Sequence, residues 1–262
     1  MNTLNVLLGR IKNAKKLDFG NVLSDCVDLF KKVWLQGLIV LILNAVLMFP
    51  LVFICYLPMI ALGLLSPESF AEEGVSFSEL NSLSAFMLIL SIVLVVIVLV
   101  ASVTLGLGLK AAYFRIVKSK DFKLSESDDY FFFLKKRYLK KTIVLGLMMI
   151  GISIVAFLML IIPLFYVFIP LSYMVVVYAI NPDLEVSEIV KVGFKLGNRK
   201  WLFTFLLIIV AWILSTVVGF LMCLIGIYVT QQFINLPFYQ IYKESVGFEE
   251  EHAINETGTP TE

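Results

Sequence analysis

The side chains most able to do chemistry inside the apolar part of this sequence are neutral amides. Asn44 lies in the first long apolar run, and three more amides, Gln231, Gln232 and Asn235, lie shortly before Pro237 in the last run. In lipid such amides usually link helices through hydrogen bonds that contribute about 1 kcal/mol or less each. The alternative hypothesis is a solute-binding cluster in which Gln231, Gln232 and Asn235 face Asn44 across a cavity.

A second group with chemical potential is a run of five bases within seven residues: Lys135, Lys136, Arg137, Lys140 and Lys141. Each base near a membrane surface contributes about 1 kcal/mol of attraction to anionic lipid. The same residues suffice for plain topological anchoring, because cytoplasmic loops of membrane proteins are enriched in Lys and Arg. We favour anchoring and keep a specific anionic-lipid rim as a hypothesis.

The sequence lacks the residues that most catalytic, cofactor and metal sites require. Its one histidine, His252, lies in a polar tail, and Cys26, Cys55 and Cys223 lack the close spacing of metal or disulfide sites. No charged side chain lies inside the apolar spans defined below, where an intramembrane enzyme or a proton-coupled transporter would need one. We therefore predict a protein that is not an enzyme and that binds no cofactor and no metal.

The composition predicts an integral membrane protein. The chain of 262 residues is 60% hydrophobic and only 16% charged, whereas soluble domains carry about 25% charged residues. A net charge of +1 argues against nucleic acid as a partner. The expected partners are membrane lipids and, as a further possibility, another membrane protein, and the oligomeric state stays open.

Six apolar segments are long enough to cross a bilayer, which takes about 20 residues in a helix. The last four come from two long stretches, 142–180 and 201–242, and we predict that each stretch crosses twice. The alternative is that one of them re-enters, which leaves four crossings. The six predicted spans are 33–57, 83–109, 142–161, 164–180, 201–218 and 221–242.

The positions of the bases predict the orientation of these spans. All 21 Lys and Arg residues fall before the first span, after the last, or in the two connections that an even number of crossings places on the same side. Because cytoplasmic loops carry the excess of Lys and Arg, both termini are predicted to be cytoplasmic.

Three segments that precede odd-numbered spans share one pattern: 24–34, 127–138 and 187–201. Each begins with acids, continues with an apolar and aromatic face, and ends with bases and an aromatic residue, as suits a helix lying along the interface. We call these segments elbows. The predicted fold is an all-α integral membrane protein of three elbow-plus-hairpin repeats, with a basic N-terminal segment 1–17, a bundle 18–247 and a disordered acidic tail 248–262.

Two segments carry a family resemblance: 192–203, reading VGFKLGNRKWLF, and 219–244, reading GFLMCLIGIYVTQQFINLPFYQIYKE. They resemble the multi-span membrane domain fused to some bacterial glycerophosphodiester phosphodiesterases, and related free-standing bacterial inner-membrane proteins. The resemblance is strongest from about Asp183 onward. It implies a helical bundle in a bacterial inner membrane, near lipid metabolism or envelope maintenance, and no phosphodiesterase activity, since that chemistry belongs to a separate soluble domain.

Two functions follow as hypotheses. The first is a non-enzymatic bacterial inner-membrane protein that acts in membrane, envelope or lipid homeostasis through lipid contact or a protein partner. The alternative is a transporter or permease component for a neutral or amphipathic solute, which would use the amides of the first and last spans.

Overall fold

The computed structural model describes residues 4–61, 82–124, 127–159, 161–222 and 225–248. Every regular element in these ranges is helical, and two 3₁₀ turns, Phe132–Leu134 and Gln231–Asn235, join the α-helices. The predicted disordered tail, 248–262, is described only at Phe248, which is buried against Phe122 and Tyr239; the rest of it lies outside the described residues. The α-helices are α1 (Leu4–Asn13), α2 (Phe19–Ala61), α3 (Ser82–Asp121), α4 (Lys136–Leu158), α5 (Ile161–Ile180), α6 (Val186–Arg199), α7 (Trp201–Leu221), α8 (Ile225–Thr230) and α9 (Leu236–Val246).

Within the described ranges, five helical segments are long and apolar enough to cross a membrane: Phe19–Ile54, Phe86–Asp121, Lys136–Leu158, Ile162–Ile180 and Trp201–Leu221. The prediction of an all-helical chain with several membrane-length helices is therefore confirmed. Continuous helix is what lipid requires, because it satisfies the backbone hydrogen bonds within one segment.

The predicted sixth span, 221–242, is not one helix in the structure. It is divided into α8, the 3₁₀ turn Gln231–Asn235 and α9. Pro237 occupies the first turn of α9, where its missing N–H removes no helical hydrogen bond. A sixth crossing by this segment therefore stays a prediction.

The three predicted elbows differ from one another in the structure. The first is the beginning of α2, which runs without a break from Phe19 to Ala61. The second contains only the 3₁₀ turn Phe132–Leu134 before α4, and the Asp129 carboxylate accepts a hydrogen bond from the Phe131 N–H nearby at 3.3 Å, which competes with helix formation. The third is a separate helix, α6, which starts with the reciprocal hydrogen bonds of Glu185 and Glu188.

Helix α5 has two different halves. Its first half exposes large apolar side chains, with Ile162 80% and Phe165 64% exposed, as lipid-facing residues would be. In its second half every residue from Tyr173 to Ala179 is buried. The second half is therefore surrounded by protein, and α5 leads from the exposed part of the bundle into its core.

Very close helix contacts hold this core together. A Cβ atom added to Gly197 of α6 would lie 2.8 Å from the Pro170 Cα of α5, and one added to Gly193 would lie 2.6 Å from the Met174 Cγ. These two glycines are four residues apart, the spacing that lets membrane helices approach backbone to backbone. Similarly, a Cβ on Gly219 of α7 would lie 2.7 Å from the Ile227 Cα of α8.

Candidate functional site

Two apolar grooves flank the exposed half of α5. The α5–α7 groove has a volume of about 400 Å³ and is lined by Leu164, Phe165, Phe168, Phe205, Ile208 and Ile209. The α4–α5 groove has a volume of about 440 Å³ and is lined by Val103, Met149, Ile150, Ser153, Ile154, Phe157, Leu164 and Leu171. Both volumes fall in the range of ligand sites, about 300–1,000 Å³, and Leu164 lines both grooves.

A proline and a tryptophan fix the relation of α5 to α7. Pro170 has no N–H, so the carbonyl oxygen of Tyr166, four residues earlier, has no helical donor. The Trp201 indole Nε1–H at the start of α7 donates to that oxygen at 3.0 Å, and its ring stacks on the Tyr166 ring. A neighbouring helix thus satisfies the backbone group that the proline frees.

This contact leads to a prediction about Trp201→Phe. A smaller aromatic ring remains, but the Tyr166 carbonyl loses its donor, so we expect the free energy of unfolding in detergent to fall by about 1 kcal/mol. Trp212→Phe on the same helix is the control, because Trp212 is 58% exposed. Equal losses in the two variants would contradict the role given to the indole N–H.

The amides predicted to form a solute site do not gather as one group. The Asn235 Nδ2–H donates to the Gln232 Oε1 at 2.9 Å, and Gln232 packs on Gly37, whose added Cβ would lie 2.8 Å from the Gln232 Cβ. Gln231 is exposed. Asn44 lies two turns further along α2, opposite Gly106 of α3. Of the four predicted residues, Gln232 and Asn235 are therefore in direct contact with each other. Solute binding stays a hypothesis.

The predicted basic rim is partly engaged within the protein. The Lys135 ammonium pairs with Asp129, and the Arg137 guanidinium lies 4.0 Å from the Asp183 carboxylate. The Lys141 ammonium donates to the carbonyl oxygens of Pro182 and Leu184 at 2.6 and 2.9 Å, just beyond the α5 C-terminus, where a cation is favourable. Lys136 and Lys140 are exposed. Lys141 thus stabilises the end of α5, while the other four bases of the rim are exposed.

Sequence reasoning missed a set of buried hydroxyl contacts around α5. The hydroxyls of Tyr173 and Thr204 lie 2.7 Å apart and connect α5 to α7. Those of Tyr178 and Thr142 lie 2.8 Å apart and connect α5 to α4. The Asn181 Nδ2–H, at the end of α5, donates to the Tyr242 hydroxyl of α9 at 2.8 Å. The Tyr and Thr residues in the apolar segments indicate that buried hydroxyl contacts exist. The sequence pattern does not identify which residues form each pair, because the partners lie far apart along the chain.

A polar cavity of about 270 Å³ lies where α2, α3 and α9 meet. It is lined by Asp25, Asp28, Leu29, Lys32, Asp121, Gln240 and Lys243. The Lys243 ammonium lies 2.7 Å from the Asp121 carboxylate, which also accepts a hydrogen bond from Tyr239 at 3.0 Å. The Gln240 Nε2–H donates to Asp25 at 3.1 Å. These contacts clamp α9 to α2 and α3.

The acids near this cavity do not form a metal site. Within the described ranges, no group of three His, Cys, Asp or Glu side chains has an arrangement that could hold a metal ion. Burial raises the pKa of the neighbouring Glu244 carboxyl above its usual value, and a hydrogen bond from Gln240 opposes that rise. These polar contacts around the cavity are better explained as contacts that hold three helices together than as a catalytic centre.

No protein family, curated protein or solved structure matches this chain. The resemblance to the membrane domain of glycerophosphodiester phosphodiesterases therefore stays a prediction from the two quoted segments.

Proposed function

We propose that this chain is a non-enzymatic, multi-pass protein of a bacterial inner membrane that binds membrane lipid and acts in lipid or envelope homeostasis. The observation that carries the proposal is the pair of apolar grooves beside the lipid-exposed half of α5. If this surface lies in the hydrocarbon core of a membrane, the acyl chains of lipids fill the two grooves.

The chemistry of the groove linings supports acyl chains over polar solutes. Neither lining includes a charged side chain, and Ser153 is the single hydroxyl residue in them. The Ser153 hydroxyl donates to the Met149 carbonyl oxygen of its own helix at 2.8 Å. A polar ligand would thus lose its hydration without gaining hydrogen bonds, which is unfavourable in an apolar site.

The distribution of charge supports the proposed topology, six crossings with both termini in the cytoplasm. The bases before α4 lie at the end of α4 that packs beside the end of α5, through Lys141 and the carbonyl oxygens of Pro182 and Leu184. Those ends would then lie near the cytoplasmic headgroups. The segment 225–246 would complete the sixth crossing through α8, the 3₁₀ turn and α9.

Solute transport is the weaker alternative. Its predicted site needs free amides, yet Gln232 and Asn235 bond to each other and pack on Gly37. Measured solute uptake that is lost in a Gln232→Leu, Asn235→Leu variant with an intact fold would favour transport over lipid binding.

Lipid retention tests the proposal directly. We expect native mass spectrometry of the protein released from its own membrane to show retained phospholipid, and Leu164→Trp to reduce the retained fraction severalfold, because Leu164 lines both grooves. Ile162→Trp is the matched control, since Ile162 lies on the same helix outside both linings and is 80% exposed. Retention that is equal in the two variants, or absent from the unaltered protein, would overturn the proposal.

A further inference from the structure

Lys110 is a charged residue on the inward face of α3. Val103, Leu107, Lys110, Phe114 and Val117 follow one another at spacings of three and four residues, and so form one stripe along the helix. Leu107, Phe114 and Val117 are buried, and Lys110 between them is partly buried. The stripe therefore directs the Lys110 side chain toward the bundle, among apolar neighbours.

The Lys110 ammonium has no hydrogen-bond or ion-pair partner within the described ranges. Asp128, whose carboxylate accepts a hydrogen bond from Gln36 of the adjacent helix, is already paired with Lys120 at 3.0 Å. An ammonium held in apolar surroundings without a counter-charge is costly, and ionisable residues inside membrane bundles usually contact a ligand, an ion or a partner.

A second unsatisfied group lies one turn from Lys110 on α3. The Tyr113 side chain is fully buried, and its hydroxyl has no hydrogen-bond partner in the part of the chain that the structure describes. Its ring packs near Gly37 of α2, beside Gln232, since a Cβ on Gly37 would lie 3.5 Å from the Tyr113 Cε2. An ammonium and a hydroxyl donor are thus both available in one region of the bundle.

One residue of the same stripe, Val103, is part of the lining of the α4–α5 groove. Val103, which lines the groove, precedes Lys110 by seven residues, which is two helical turns or about 10 Å along α3. The extended lysine side chain covers part of that distance. A molecule with an apolar chain in the groove would therefore bring its polar end close to the Lys110 ammonium.

We propose that Lys110 binds the anionic headgroup, a phosphate or a carboxylate, of an amphiphile whose acyl chain lies in the α4–α5 groove. The inference rests on the proposed lipid-binding function and adds to it a preference for anionic over zwitterionic lipids. Lys110 supplies the counter-charge, and the Tyr113 hydroxyl supplies a further donor at the inner end of the site. A zwitterionic lipid would bring its own cation to the same place and bind less well.

Lipid selectivity is the measurement that tests this assignment. Purified protein is equilibrated in nanodiscs with equal amounts of phosphatidylglycerol and phosphatidylethanolamine, or with added oleate, and the retained lipids are identified by native mass spectrometry. We expect Lys110→Met to lower the ratio of anionic to zwitterionic lipid about tenfold. Lys110→Arg is expected to keep the ratio within about twofold, since it retains the charge.

Lys191→Met serves as the control because it removes the same charge from an exposed position on α6, outside the basic rim. An equal fall in the ratio for Lys191→Met, or no fall for Lys110→Met, would overturn the assignment. Preference for phosphatidylglycerol identifies the anion as a phosphate, and preference for oleate identifies it as a carboxylate. Tyr113→Phe, which preserves packing, is expected to lower anionic retention by about threefold or more.

The lipid-selectivity experiment and the lipid-retention experiment with Leu164→Trp can fail independently of each other. Failure of the proposed function would appear as unchanged total lipid in Leu164→Trp. Failure of the Lys110 assignment alone would appear as reduced total lipid in Leu164→Trp together with unchanged selectivity in Lys110→Met.

Discussion

Gly197→Ala is expected to lower the free energy of unfolding by about 1–3 kcal/mol, the usual cost of inserting atoms into a well-packed core. The added methyl would lie 2.8 Å from the Pro170 Cα and 3.0 Å from the Pro170 nitrogen, and backbone atoms cannot turn aside as the end of a side chain can. The helices α5 and α6 would have to separate. Unfolding of the purified protein by increasing SDS in mixed micelles measures the loss.

Gly151→Ala is the control for this prediction. Gly151 lies in α4, and a Cβ added there meets nothing within 4 Å. Alanine has a higher helix propensity than glycine by about 1 kcal/mol in water, so this variant should be neutral or slightly more stable. A Gly197→Ala protein as stable as Gly151→Ala would show that α5 and α6 are not in backbone contact.

Lys243→Met is expected to destabilise the protein by about 2–3 kcal/mol, somewhat less than the 3–5 kcal/mol found when one partner of a fully buried pair is removed. Lys243 and Asp121 retain only 22% and 13% side-chain exposure. After the substitution, Asp121 would keep its hydrogen bond from Tyr239 but would lose its counter-charge. Because the pair joins α9 to α3, thermal unfolding should also begin at a lower temperature.

Lys31→Met provides the matched comparison. Lys31 pairs with Asp28 at the same distance, 2.7 Å, but both side chains are more than half exposed. Exposed pairs contribute about 0–1 kcal/mol, so this variant should change stability very little. If both variants lost the same small amount, the α3–α9 pair would be no stronger than a surface contact.

The long helices were predictable because the apolar runs leave the backbone no other way to satisfy its hydrogen bonds in lipid. The ends of the helices were less predictable than their existence. A span predicted from hydropathy ends at the first charged residue, whereas the helix can continue beyond that residue. The predicted second span stops at Leu109, yet α3 continues to Asp121. Lys110 directly follows that predicted span, but in the continued helix it is partly buried.

Contacts between segments that are distant in the sequence are the part of the candidate site that could not be predicted from the sequence. Pro170 alone indicates that the Tyr166 carbonyl needs a donor, because proline removes a known hydrogen bond. Nothing in the sequence identifies Trp201 as that donor, since the two side chains meet only after α6 has folded back along α5. The α5–α7 groove arises in the same way, since the two helices that line it are separated in the sequence by α6.

The burial of α9 constrains when this bundle can be completed during synthesis. Nine of its eleven residues are buried, and it contacts α1, α2, α5 and α7. Arg10 of α1 donates to the Val246 carbonyl oxygen at 3.4 Å, so the first and last described helices meet across 236 residues. Contacts of such long sequence separation form slowly. The surfaces of α1, α2, α5 and α7 that α9 covers therefore stay open during synthesis until α9 has been made and has folded against them.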